Sequence, residues 1–218
     1  MQIGVYTLKW LKEKDKKMEY INPHLNFVKA IDVVKSHLRE FREYRNKELS
    51  FLDVGGAFGR KTSKLATGFT YQILEIDEKL KSSNIIRGDI CHCPQIPDKS
   101  FDIVFSSSVF EHIKKPWLAA EECIRINKKG GLNIHITLFS WRYHPTPVDC
   151  FRYTHTGLEI LFESSNRMER VMSGYDIQHR RREKGVKPGS LGLLDVVPVD
   201  ELGAWREHWS VIYIGRKL

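Results

Sequence analysis

Four cysteines in 218 residues, at 91, 93, 123 and 150, are too few and too scattered for a disulfide framework. The expectation is a set of reduced thiols and a cytoplasmic setting. Cys91-His92-Cys93 has a metal-like look, but a structural zinc site spaces its paired cysteines two to four apart and needs a second pair. That pair is missing, so no metal is expected. No apolar run approaches the ~18 residues of a membrane span. Residues 1–17 turn charged too early for a secretory signal. Internal repeats and low-complexity tracts are lacking as well. These absences argue against a membrane span, a fibre or a solenoid.

What is present is an ordinary globular balance, 41% hydrophobic and 28% charged, in a length that suits one domain. Lys plus Arg outnumber Asp plus Glu by 35 to 27, for a net charge of +8. The excess is spread out. Its densest patches are residues 9–17, diluted by Glu13 and Asp15, and the run 179–184. Solvated faces are the expected reading, with nucleic acid as an alternative that is not favoured.

Asn22-Pro23 suits a helix start, and Leu25, Val28, Ile31, Val34, Leu38 and Phe41 follow at helical spacing. One amphipathic helix is expected to about residue 46. Beyond it, short apolar strands alternate with helices. Strands are expected at 51–54, 70–76, 84–87, 101–106 and 132–139, with helices near 60–67 and 116–127. A helix capped by Thr154 or Thr156 follows, and then strands at 170–178 and 209–214 without an intervening helix. This order predicts an α/β, three-layer Rossmann-like sandwich. Its seven-stranded sheet is mostly parallel with an antiparallel carboxyl-terminal strand. Residues 1–21 read as an extension and 22–218 as one domain.

The most informative motif is Phe51-Leu52-Asp53-Val54-Gly55-Gly56-Ala57-Phe58-Gly59-Arg60. A strand enters a glycine turn where a ligand approaches the backbone closely. A dinucleotide fingerprint would need a third glycine at position 60, where Arg60 stands, and no lysine-serine pair follows as in a P-loop. The segment instead resembles the first motif of the class I methyltransferases, which use S-adenosylmethionine, with Ala57 in place of the middle glycine. The resemblance continues in order. Ile73-Leu74-Glu75-Ile76-Asp77 is similar to the strand end that holds an acid for the ribose hydroxyls, with Glu75 first choice and Asp77 second. Arg87-Gly88-Asp89-Ile90 is similar to the adenine segment, in which Asp89 accepts from the amino group and Ile90 packs on the ring. The run from Ser100 through Ser106 to His112 is similar to the fourth strand and the loop behind it.

The resemblance implies S-adenosylmethionine as cofactor, held by Asp53, Gly55, Gly56, Ala57, Gly59, Glu75, Asp77, Asp89, Ile90 and Ser106. A hydroxyl acceptor needs a base, and His112, His144 and Asp149 are the candidates. His135, inside a strand, reads as a packed core residue. Residues 140–154 carry two prolines, aromatics, His144, Asp149 and Arg152, and look like a substrate-side loop. Part of that loop resembles methyltransferases that decorate glycans and polysaccharides, which implies O-methylation of a sugar or glycan. Asp149 and Arg152, three apart, also suit a pair that braces the loop. The alternatives are an RNA or small-metabolite methyltransferase of the same fold, and a catalytically silent binding module.

Overall fold

The computed structural model of the protein describes residues 28–45, 48–56, 62–141, 143, 145, 147–179, 182–183, 199–200, 203–205 and 208–218. In chain order the elements are α1 (Ala30–Arg45), β1 (Ser50–Val54), α2 (Thr62–Leu65), β2 (Thr70–Glu75), β3 (Ile85–Arg87) and β4 (Phe101–Ser107). A 3₁₀ turn (Phe110–His112) precedes α3 (Pro116–Ile126), β5 (Asn127–Ser140), α4 (His155–Glu163) and β6 (Met168–His179). Then come β7 (Arg182–Glu183), β8 (Val199–Asp200), β9 (Gly203–Trp205) and β10 (His208–Lys217).

Seven strands form one sheet in the order β3-β2-β1-β4-β5-β10-β6. β1 pairs in parallel with β2 and β4, β2 with β3, and β4 with β5. β10 runs antiparallel to β5 and to β6. The chain winds outward from β1 to β3 and resumes on the other side of β1 with β4. That reversal falls at the carboxyl ends of β1 and β4, the position at which open α/β sheets form their ligand-binding crevice.

Side-chain alternation splits the core between the two faces. Phe51, Ile103, Phe105, Ile212 and Ile214 pack with Val34, Leu38 and Phe41 of α1. Leu52, Val104, Val211 and Tyr213 pack with Ala119 and Ile124 of α3 and with Leu158 and Phe162 of α4. The expected three-layer sandwich is what the chain forms. Thr154 caps α4, its hydroxyl accepting from the Gly157 amide at 2.9 Å.

Three expectations need correction. The first helix does not run unbroken from residue 22, since Val28 and Lys29 are not helical and α1 begins at Ala30; Asn22 and Pro23 lie outside the described residues. The Val28 amide donates to the Tyr175 carbonyl at 2.8 Å. The Ala30 amide donates to the Asp176 carboxylate at 3.1 Å. A partner 146 residues away thus tethers the first turn, which local spacing does not reveal. Replacing Asp176 with alanine is expected to cost about 1 kcal/mol, or about 2–4 °C in thermal midpoint. Asn at that position should restore most of it, and an unchanged alanine midpoint would deny Asp176 this role.

Secondly, β5 starts directly at Asn127, without a loop after α3. Gly130 (φ +72°) and Gly131 form an irregularity in its pairing with β4, where a β-carbon on Gly131 would lie 2.6 Å from the Asp102 carbonyl oxygen. Thirdly, β7, β9 and β8 form a small antiparallel sheet between the strands expected at 170–178 and 209–214, where no further strand is expected.

Candidate functional site

β1 delivers Asp53, Gly55 and Gly56 to the crevice. Gly55 has φ +69°, open to glycine but costly for other residues. A β-carbon there would sit 2.9 Å from Cγ2 of Val109, so the turn rests on the loop after β4. At Gly56 a β-carbon would lie 1.9 Å from Asp53 Oδ2. The backbone therefore lies directly over the Asp53 carboxylate. Asp53 is 1% exposed and accepts from the Tyr71 hydroxyl at 2.7 Å. Phe51 pairs with Tyr71 and Asp53 with Ile73, which puts Tyr71 and Asp53 on one face of the sheet. Burial pushes the Asp53 carboxyl up to about 7, and the charge of Glu75 adds to this, against hydrogen bonds from Tyr71 and Thr62.

Glu75, at the end of β2, is 5% exposed. Its Oε1 accepts from the Ile76 and Asp77 amides at 2.9 and 3.0 Å, and its Oε2 is buried with no hydrogen-bond partner among the described residues. An orphaned buried carboxylate oxygen is costly unless a ligand donates to it. Asp77 is engaged locally, accepting from the Lys79 amide at 2.9 Å. Of the two acids proposed for the ribose, only Glu75 presents an oxygen in need of a donor.

The Gly88 amide donates to the Glu75 carbonyl at 3.2 Å, which brings Asp89 beside Glu75. Asp89 is exposed, and its Oδ1 accepts from the Cys91 amide at 2.8 Å. Ile90 is buried in the core with Cys93 and Ile96. Ser106 is also buried, hydrogen-bonded through its hydroxyl to His135 Nδ1 at 2.8 Å. His135 stacks on Phe162 with ring centroids 4.4 Å apart, and burial drives it down to about 3, so it is neutral. His135 is thus the packed core residue its place in a strand suggested. Ala57, Gly59 and His144 lie outside the described residues.

On the acceptor side, His112 closes the 3₁₀ turn, with its ring Nδ1 against the Val148 carbonyl. A carbonyl only accepts, so Nδ1 carries the hydrogen, which in the neutral ring leaves the lone pair on Nε2. Asp149 is near His112 in the chain's path, but its side chain is 2% exposed and takes both Arg152 NH groups, one at 2.7 Å. Arg152 also donates to the Trp141 carbonyl at 3.2 Å. This is the bracing geometry. Around it, Tyr143 is 59% and Phe151 37% exposed.

Cys93 gives its thiol to Glu122 at 3.1 Å, and Arg125 holds that carboxylate down to about 2. Among the described residues there is no group of three or more His, Cys, Asp or Glu that could hold a metal, and no helix long and apolar enough to cross a membrane.

Sequence position alone did not point to Tyr71, Val109, Thr137 or Tyr153. Tyr71 had a faint signal, a polar aromatic two positions before the partner of Asp53 in a strand. The others act through the tertiary arrangement.

A family model described as a methyltransferase domain matches residues 52–134. An uncharacterized methyltransferase of Mycolicibacterium vanbaalenii is 31% identical over 97 residues, which are 39% of this chain and 38% of that protein. The chain spans about two fifths of the length of the curated relatives it matches. A solved structure of a candidate methyltransferase from Bacillus halodurans superposes with a TM-score of 0.60 at 14% identity, over 83% of this chain and 98% of that one. A second, of SAM-dependent methyltransferases from Methanosarcina mazei, gives 0.55 at 12% identity, over 82% and 97%. At such identities the two structures speak for the fold alone. The glycine turn and the buried acceptor oxygen of Glu75 suit a ligand that comes close to the backbone and brings hydroxyl donors, as the ribose of an adenosyl group does.

Proposed function

We propose that this chain is a class I S-adenosylmethionine-dependent methyltransferase that methylates a hydroxyl of a sugar or glycan, with residues 22–218 as one catalytic unit in a reducing, cytoplasmic setting; the match to a methyltransferase domain over residues 52–134 supports the reading. The observation that carries the donor site is the buried Glu75 Oε2, which has no hydrogen-bond partner among the described residues. Glu75 would accept from the ribose hydroxyls, with Gly55 and Gly56 allowing close approach and Asp89 at the adenine end. When bound, S-adenosylmethionine supplies an electrophilic methyl group on a positively charged sulfur that departs as a neutral thioether.

The chain's own task is alignment, exclusion of water and removal of one proton. His112 is the base of choice. Its Nδ1 hydrogen is engaged by the Val148 carbonyl, so Nε2 takes the acceptor's hydroxyl proton as the new carbon–oxygen bond forms. Asp149 braces the loop through Arg152 and is a weaker candidate. The exposed rings of Tyr143 and Phe151 support a sugar acceptor, because the C–H faces of a pyranose pack on aromatic faces while its rim offers hydroxyls.

Incubation with methyl-labelled donor and a panel of methyl glycosides, oligosaccharides, an RNA oligonucleotide and small hydroxylated metabolites, read by mass spectrometry, tests this directly. Label in a glycan hydroxyl is expected, with rates that change little between low and moderate salt. Label in RNA with steep salt dependence would overturn the sugar assignment. His112→Ala is expected to lower turnover by about a hundredfold at unchanged donor affinity. His144→Ala is expected to be milder, and full activity of His112→Ala would remove His112 as the base.

A further inference from the structure

The residues Phe110–His112 form one 3₁₀ turn, too short to satisfy its own backbone. The loop 148–153 supplies the missing partners. The Glu111 carbonyl accepts from the Cys150 and Phe151 amides at 2.8 and 3.1 Å. The Phe110 carbonyl accepts from the Tyr153 hydroxyl at 3.1 Å, and the His112 carbonyl from the Cys150 thiol at 3.8 Å. In return the loop's Val148 carbonyl takes the His112 Nδ1 hydrogen. The turn is anchored from below as well. The Glu111 carboxylate is wholly buried, and its Oε2 accepts from the Thr137 hydroxyl on β5 at 2.7 Å.

A buried carboxylate is a costly way to fill space, and an apolar side chain would pack there more cheaply. Its hydrogen bond to the rigid sheet fixes direction, which an apolar contact does not. Immediately before the same turn in the chain, Val109 lies against Gly55 of the donor site.

We infer that Glu111, held by Thr137, is a positioning residue that locks the base-bearing turn and the acceptor-side loop into one unit and so sets the tautomer of His112. The inference rests on reading His112 as the base and extends it. Thr137→Val keeps the side chain's shape and deletes the hydroxyl, whereas Thr137→Ser returns it.

In Thr137→Val the amides of Cys150 and Phe151 are expected to exchange about tenfold faster. The nitrogen NMR signals of His112 should shift from a pure Nδ1–H form toward a tautomer mixture, with S-adenosylmethionine affinity held within about twofold. Thr137→Ser should recover both signatures. Tyr153→Phe, which cuts the unit at its other end, should speed exchange in the same direction and serves as an independent probe if the valine variant folds poorly. Unchanged exchange and an unchanged tautomer in both Thr137→Val and Tyr153→Phe would overturn the inference. Should His112→Ala keep full turnover while Thr137→Val still loosens the two amides, the base assignment fails and the locking of turn to loop stands.

Discussion

Glu75→Gln is expected to weaken S-adenosylmethionine binding between about tenfold and about a hundredfold. The glutamine carbonyl oxygen can keep the two bonds that Oε1 makes to the Ile76 and Asp77 amides. The other carboxylate oxygen, buried and without a partner among the described residues, becomes an NH₂ group that offers hydrogens where the ribose also offers them. A hydrogen bond to a charged group contributes about 1.5–3 kcal/mol, which converts to that range of affinity. Calorimetry with the donor reads the loss directly. The unliganded thermal midpoint should hold steady or rise, since an orphaned charge has been removed. Equal affinity in the variant would take Glu75 out of the donor site.

The second large effect concerns Asp53, whose carboxyl is raised from 3.8 to about 7 chiefly by burial. In the folded state it keeps a proton that the unfolded chain has already released. Native protein therefore binds more protons than unfolded protein between those two values, and stability falls as pH rises through the window. The full effect is on the order of 4 kcal/mol, reached above the upper value. Asp53→Asn keeps an oxygen to accept from Tyr71 and removes the titration. Its thermal midpoint should exceed the parent's at about pH 8 and match it more nearly at about pH 5.

Donor binding should move the other way. The sulfonium and ammonium of S-adenosylmethionine favour ionised Asp53, so affinity for the parent should tighten several-fold from about pH 6 to about pH 8. The variant should bind more weakly and with a flatter profile. A parent whose midpoint and donor affinity are both level across this range would contradict a raised carboxyl beneath Gly56.

The site was only partly legible because its residues differ in what places them. Asp53, Gly55 and Glu75 stand at strand ends, and period-two alternation with a glycine break is enough to find those ends in a sequence. Ile90 and Ser106 were assigned by position along the motif. The fold turns Ile90 into the core beside Cys93 and gives the Ser106 hydroxyl to His135, and side-chain direction at those points depends on neighbours remote in the chain. Asp149 and Arg152 illustrate the converse. Spacing of three allowed either a pair or a free base, and the two-pronged contact at Asp149 is the pair.

By itself, the sequence determined the alternation of strands and helices, the glycine turn and the acids at the strand ends, since each of these is written in local spacing and in backbone angles that few residues tolerate. Only the tertiary structure decided which acid oxygen lacks a partner among the described residues, where α1 begins and which His112 nitrogen carries the hydrogen held by a backbone carbonyl. Each of these turns on a hydrogen-bond partner brought in by the fold: the amides that occupy one oxygen of Glu75, the Asp176 carboxylate at the start of α1, and the Val148 carbonyl against His112. Such partners lie outside the periodicity that a sequence displays, because burial makes a polar group seek a mate wherever the packed chain offers one.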